Sequence, residues 1–237
     1  MKNSGIKIIY EDNHLLVVEK PVNILSQGDD TGDPDLLTLL KQDIKQRYNK
    51  PGNVYLGLVH RLDRPVGGVM VFAKTSKAAA RLTEQLKSGE FVRTYLALIH
   101  GQPSKPKATL VHYLLKDRKT NTVSAVKENV KGAQIAILDY EVLGYHQKLS
   151  VVKVNLRTGR PHQIRVQFAT LGHPLFGDQR YGSKVNRPGQ PIGLWSYEIS
   201  CLHPITKERI SFCSVPDKRP WTQFSWLKSI KLTQDTV

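Results

Sequence analysis

Short stretches of β-favouring residues recur along most of the chain, and only three segments carry the apolar spacing of a helix. Strands are predicted at Lys7 to Tyr10 and His14 to Glu19, broken by Asp12-Asn13, then at Val54 to Val59 and Val69 to Ala73. Phe91 to Ile99 alternates Val92, Thr94, Leu96 and Leu98 with Arg93, Tyr95 and Ala97, so the two sets face opposite ways. Further strands are expected at 110–115, 122–126, 134–143, 149–156, 193–199 and 209–214. Helices are expected at about 35–48, opened by Asp33-Pro34, at about 77–87, capped by Thr75 or Ser76 and stopped by Gly89, and at about 162–171, opened by Pro161 and closed by Gly172. Many strands with few inserted helices imply an α+β fold with a mixed, largely antiparallel sheet. No repeat, low-complexity linker or break in composition divides residues 1–237, so a single domain is expected, with a polar tail from 228 to 237.

Charge narrows the function. The chain carries a net +15, yet residues 1–50 sum to −1, so a surplus of +16 lies beyond residue 50 and belongs to no single lysine-rich tail. Residues 151–200 hold seven basic groups and only two acids, Asp178 and Glu198. A folded surface of that sign attracts a polyanion, nucleic acid first. No apolar run approaches the ~18 residues of a membrane span, and Met1 to Tyr10 has no signal-peptide core. Two cysteines make no disulfide framework, so a cytoplasmic protein and no membrane partner are expected.

Several chemistries fail on their motifs. Gly177 to Lys184 nearly forms a phosphate loop, but Ser183 precedes Lys184, the reverse of what phosphate and metal need. No glycine fingerprint for a dinucleotide follows a strand, and no Gly-x-Ser-x-Gly elbow occurs. Cys201, His203 and Cys213 lack a fourth ligand, so they read as a buried thiol pair with a surface histidine, and no metal is expected.

Three constellations remain. Asp63 is the only acid between Asp43 and Glu84, in a turn between Arg61 and Arg64. Positive neighbours favour its ionised form, and a carboxylate among arginines suits work on a bound polyanion; an ion pair that merely pins the turn is the competing reading. Leu156 to Arg165 puts Arg160 just ahead of a helix start, where free N–H groups suit phosphate, with His162 and Arg165 on one face and Gln163 between them. On the strand of Phe91 to Ile99, Tyr95 beside Ala97 is suited to stacking on a base, although isolated strand tyrosines are more often half-buried packing groups.

Taken in order, His60-Arg61-Leu62-Asp63-Arg64 with Gly67-Gly68, Arg93 to Gly101, and Thr158 to Arg165 running on to Gly172-His173-Pro174-Leu175-Phe176-Gly177-Asp178 and Tyr181-Gly182 resemble the pseudouridine synthases of the large-subunit, RluA-like type. Glu19-Lys20-Pro21 is similar to that family's opening block, and the likeness spans about residues 7–215. The resemblance implies the synthase catalytic fold with a central RNA-binding cleft, and conversion of uridine to pseudouridine in rRNA or tRNA, with no cofactor and no metal. It places the family's aspartate on Asp63, its active-site tyrosine on Tyr95 and the aspartate's basic partner, expected to grip it bidentately, on Arg165. Arg61 then enters the space left by a flipped uridine, and Arg64, Arg160, His162 and Gln163 are expected to contact RNA. Tyr95 is expected as a stacking wall and as a base or relay for the C5 proton.

Two departures stand out. Val66-Gly67-Gly68 replaces the family's Thr-Ser-Gly, removing a hydroxyl that supports the turn, and Asn23 stands where glycine is common. Strand-like sequence from Ile6 leaves no room for the small N-terminal RNA-binding domain of many relatives. A stand-alone monomer is therefore expected, selecting RNA through basic loops around Lys105, Lys107, Lys116 to Lys119 and Arg187. Two other classes compete: an RNA-binding or ribosome-assembly protein that needs no carboxylate, and a DNA-binding module, for which no recognition helix is present.

Overall fold

Alternating and continuous apolar strands need partners on both edges and cover on both faces, and the computed structural model, which describes residues 5–229, supplies both. The strands β1 (Lys7–Glu11), β2 (Leu15–Lys20), β3 (Gly57–Leu58), β4 (Gly67–Ala73), β5 (Val92–His100), β6 (Lys107–Asp117), β7 (Thr122–Val126), β8 (Gln134–His146), β9 (Leu149–Leu156), β10 (Leu194–Leu202) and β11 (Arg209–Cys213) form one sheet. Its order is β1-β2-β4-β10-β5-β9-β8-β6-β7, with β3 beside β4 and β11 beside β10. Every pairing is antiparallel except β4 with β10, where Gly67 and Gly68 meet Trp195 and Ser196. That parallel seam joins the two halves of the sheet, and the loop carrying Asp63 runs straight into it.

The seam also explains the Gly67-Gly68 pair. A Cβ on Gly67 would lie 2.4 Å from Trp195 Cζ3, and Gly68 combines a φ of +117° with a backbone approach that leaves no room for a side chain. At this turn an indole thus packs directly on bare backbone, in the space a side chain at position 67 would take. Asn23 adopts φ +65°, the left-handed conformation expected of a glycine substitute.

Three helices and a C-terminal segment cover the sheet. On one face α1 (Leu36–Arg47) and α3 (Gln163–Thr170) bury Leu36, Leu40, Ile44, Ile164 and Phe168 against Met70, Phe72, Ala97, Leu138 and Val152. On the other, α2 (Ser76–Ser88) packs Ala78 and Leu82 on Leu15, Val17, Val69 and Val71. Beyond it Trp221, Phe224 and Leu227, from two short 3-10 turns, cover Leu96, Leu98 and Val151.

Boundaries moved where local geometry overrode the pattern. Asp35 rather than Asp33 caps α1, accepting from Thr38 N at 3.0 Å, and the strand expected at 54–59 pairs only over Gly57–Leu58. Thr75 and Gly89 bound α2 as expected. Pro161 does not open α3, because His162, with φ +51°, intervenes before the helix starts. Cys201 is buried but Cys213 is exposed, and His203 is buried against Asp12 at 2.8 Å, reversing the thiol-pair and surface-histidine expectation. The tail expected at 228–237 lies outside the described residues from 230 onward.

Candidate active site

Asp63 is presented from a turn whose backbone is tied down on every side. Ser26 Oγ accepts from Leu62 N at 3.1 Å and donates to Leu62 O at 2.7 Å, while Val66 N donates to Asp63 O at 2.9 Å. Lys20, wholly buried at the end of β2, sends Nζ to the carbonyls of Pro21, Arg64 and Val66 at 3.0, 3.1 and 2.7 Å. Burial pushes its amine down to about 7, opposed by the nearby Asp63 charge and by three carbonyls that match the three N–H groups of an ammonium. His60, enclosed and accepting from Val71 N at 3.1 Å, is driven down to about 3 by burial and then by Arg93, so it serves the fold as a neutral ring.

Within that frame the Asp63 side chain keeps 28% of its surface exposed. Its partner comes from across the sheet: Arg165 Nη1 donates to Asp63 Oδ2 at 2.9 Å. The flanking arginines do not pair with it. Arg64 reaches Asp33 at 2.6 Å, and Arg61 is exposed. A single contact replaces the bidentate grip expected between Arg165 and Asp63. The bidentate pair lies on the other side of the guanidinium, where Nε and Nη2 meet Asp178 at 2.7 and 2.9 Å. The Asp178 carboxylate is wholly buried and also accepts from the backbone N–H groups of Arg180 and Tyr181 at 3.0 and 3.1 Å. Burial alone would raise the Asp178 carboxyl, but Arg165 and the two N–H groups outweigh it and hold it below the usual range. Burial likewise opposes the Arg165 charge, and Asp178 and Asp63 overcome it. A half-open carboxylate is thus held by an arginine that is itself locked from behind.

The left-handed His162 turns its ring toward this pair. Nε2 lies 3.9 Å from Asp63 Oδ2, beyond hydrogen-bond reach, and Nδ1 lies 2.6 Å from Tyr181 Oη. Burial lowers its pKa, assisted by Arg165 and Arg180 and opposed by Asp63 and Asp178. Gln163, expected at the RNA surface, is instead buried. Its Oε1 accepts from Thr158 Oγ1 and Arg160 N at 2.8 and 2.9 Å, and its Nε2 donates to Ile137 O at 3.1 Å, so it knots the turn ahead of α3. Arg160 stands outside the knot, with Nε on Ile135 O at 2.9 Å.

Tyr95 lies on the same face as Ala97, as the alternation predicts, but that face is core rather than an open basic surface. The residue is 6% exposed among the side chains covered by α3, because β5 is a central strand. Burial raises its phenol and outweighs the opposing Arg93 charge and a hydrogen bond with Ser196, with Asp63 adding to the rise, so the group holds its proton at neutral pH and is a poor base. Beside Arg165 and Asp178 opens a cleft of about 420 Å3, bounded also by Asn23, Pro65, Arg180 and Ile192.

Two contributors escaped the sequence reading. Asp178 left two signals, its rarity among the acids of residues 151–200 and its place at the end of the Gly172–Asp178 block, but neither named its role. Asn186 left none, yet it is buried and ties the Asp178 loop together. Its Oδ1 accepts from Gly177 N at 2.7 Å and lies 2.8 Å from His100 Nε2, while Nδ2 donates to the carbonyls of Leu175, Asp178 and Gly182. Among the described residues no group of three His, Cys, Asp or Glu side chains is placed to hold a metal ion.

The fold matches that of known proteins. The human RNA pseudouridylate synthase domain containing 4 superposes with a TM-score of 0.75 at 21% identity, covering 90% of this chain and 89% of that one, which shows a shared fold. The family model for RNA pseudouridylate synthase matches residues 14–170. A Bacillus subtilis protein, the RNA pseudouridine synthase YhcT, is 37% identical over 211 residues, 86% of this chain and 67% of that one. The ribosomal large subunit pseudouridine synthase D of Nitrosomonas europaea is 33% identical over 84% of this chain and 59% of its own length. The chain therefore belongs to the RNA pseudouridylate synthase family. Its activity is the isomerisation of uridine to pseudouridine in RNA.

Proposed function

We propose that Asp63 is the carboxylate that acts on the target uridine, and that one domain spanning the chain carries the whole reaction as a monomer, without cofactor or metal. The observation that carries this reading is the Asp63–Arg165–Asp178 chain: a carboxylate left 28% exposed, gripped once by a buried arginine that turns Nε and Nη2 to a buried acid. A purely structural ion pair has no need to stay part-open to solvent.

The target base leaves its stack, at a cost of a few kcal/mol, and enters beside Asp63 while the exposed Arg61 fills the vacated space. Asp63 then attacks C6 of the ring or C1′ of the ribose, or removes the C2′ proton, and Arg165 holds its charge and direction. The C1′–N1 bond breaks, the freed uracil turns in place against Tyr95, and C5 bonds to C1′ as any bond to Asp63 is released; the C5 proton then passes to water while N1 gains one. The ring of Tyr95 serves as a wall rather than as a base, given its burial. Arg64, Arg160 and the basic loops near Lys116 to Lys119 and Arg187 contact RNA phosphate. The substrate is ribosomal or transfer RNA, the relatives' names favouring the large ribosomal subunit, and the site of action is the cytoplasm.

The test uses total RNA, tritiated at uracil C5, from cells lacking this chain. Pseudouridine formation expels that tritium, so the wild type should release it to water and Asp63→Asn should not, while both bind RNA alike. Release undiminished in Asp63→Asn, or tight binding without release by the wild type, would sink the assignment and favour an assembly factor.

A further inference from the structure

His162 occupies a left-handed backbone conformation without being glycine, and the strain is answered by what its ring meets. Tyr181 Oη accepts a hydrogen bond from Val123 N–H in β7 at 2.9 Å and stands 2.6 Å from His162 Nδ1. Val123 N–H takes one lone pair of the phenol oxygen, and Nδ1 is the nearest acceptor for the phenol's own hydrogen. With Nδ1 accepting it, the imidazole proton sits on Nε2, which looks toward Asp63 Oδ2 from 3.9 Å. That gap is too long for a direct bond and leaves the donor for an oxygen of the substrate lying beside the carboxylate.

Tyr181 does more than orient a ring. Its face lies over Arg165, 5.1 Å from Cζ, and the preceding residue, Arg180, donates through Nη1 to the carbonyl of Asn121 at the tip of the β6–β7 hairpin. The hairpin tip carries Lys116, Arg118 and Lys119. The segment that locks Arg165 from behind is therefore the segment bolted to a basic hairpin.

We propose that Tyr181 is a positioning residue acting through His162: it holds the imidazole as the neutral Nε2–H tautomer aimed at the substrate beside Asp63, and ties that donor to the β6–β7 hairpin. Charge on His162 would be harmful, since an imidazolium competes with Arg165 for Asp63. The groups facing the ring are balanced accordingly, with Arg165 and Arg180 against protonation and Asp63 and Asp178 in favour.

The proposal rests on Asp63 being the acting carboxylate, and the test separates the two. In Tyr181→Phe, the ring and its contact with Arg165 stay while the hydroxyl goes. On RNA that the wild type modifies, tritium release should show kcat down about tenfold to a hundredfold, as for a small misplacement of a reacting group, with KM little changed. The acid limb of the kcat–pH profile should move to higher pH, because Nδ1 no longer has a donor to lose. Nitrogen-15 NMR of labelled histidine should report the Nε2–H tautomer of His162 in the wild type and a mixture in Tyr181→Phe. His162→Gln should lose as much as Tyr181→Phe, and the double variant no more than either. An Nδ1–H tautomer in the wild type overturns the proposal whatever the activity. Multiplying losses, or a raised KM and lower melting temperature with the tautomer unchanged, overturn it as well. Full activity in Asp63→Asn would instead remove the underlying function while the NMR result stood.

Discussion

Replacing Asp178 by Asn should unfold this protein more readily than replacing Asp63, although both changes are carboxylate to amide and both touch Arg165. Asp178 is wholly buried and receives four hydrogen bonds, from Arg165 Nε and Nη2 and from the N–H groups of Arg180 and Tyr181. An amide has one acceptor oxygen, so its NH2 must face either the guanidinium or the two backbone donors, donor against donor. Arg165 is then left buried with only the half-open Asp63 as counter-charge. Breaking a buried pair in this way costs about 3–5 kcal/mol, and at about 2–4 °C per kcal/mol for a chain of this size the melting temperature should fall by about 6–20 °C. Asp63 loses one contact at a site 28% exposed, an interaction worth about 0–1 kcal/mol, so its melting temperature should move by no more than about 4 °C. Thermal melts of the two variants beside tritium release provide the assay. Turnover should vanish in Asp63→Asn with the fold intact, and fall in Asp178→Asn along with stability. Equal destabilisation by both would refute the reasoning, since Asp63 would then be a structural ion pair that is merely part-exposed.

Other consequences follow from the same geometry. Gly67→Ala should lower the denaturant midpoint by the equivalent of about 1–3 kcal/mol, because the new methyl meets the Trp195 ring at 2.4 Å; an unchanged midpoint would mean that the β4–β10 seam yields freely. Tyr95→Phe should retain most of the turnover while Tyr95→Ala loses it, since a buried phenol kept protonated acts by its ring; an inactive Tyr95→Phe would restore the role of base or relay. Asp178 and Glu11 are both held below the ordinary carboxylate value in the fold. Arg165 outweighs burial at the first, and Lys74 and Arg47 outweigh it at the second. Groups so depressed bind fewer protons folded than unfolded, so their stabilisation is complete above about pH 5 and is lost as pH falls further. The melting temperature should be level from pH 5 to 7 and drop below 4, with a shallower drop in Asp178→Asn; a level curve down to pH 3 would contradict it.

Most of the strands, the α2 caps and the pairing of Asp63 with Arg165 were legible in the chain, for reasons that are local or borne by the resemblance. Alternation at 91–99 names the two faces of β5 because successive side chains point to opposite sides, and Thr75 and Gly89 bound α2 because each satisfies backbone groups within a few residues. Such signals stop at the distance over which a residue acts on its own backbone. Whether β5 lies at an edge or in the centre of the sheet is decided by pairing with β9 and β10, and this turned Tyr95 from a surface stacking group into core. Long-range contact likewise decided which charges meet. Arg61 and Arg64 adjoin Asp63 in sequence, but the carboxylate pairs with a guanidinium 102 residues away, itself held by Asp178 on a loop knotted by Asn186. The residues proposed to meet substrate leave a chemical mark in a sequence, a carboxylate among cations or a tyrosine beside alanine. The residues packed around them, Lys20, Asp178 and Asn186 buried and Tyr181 half-buried, act by their place in the fold, and that place exists only once the chain has folded.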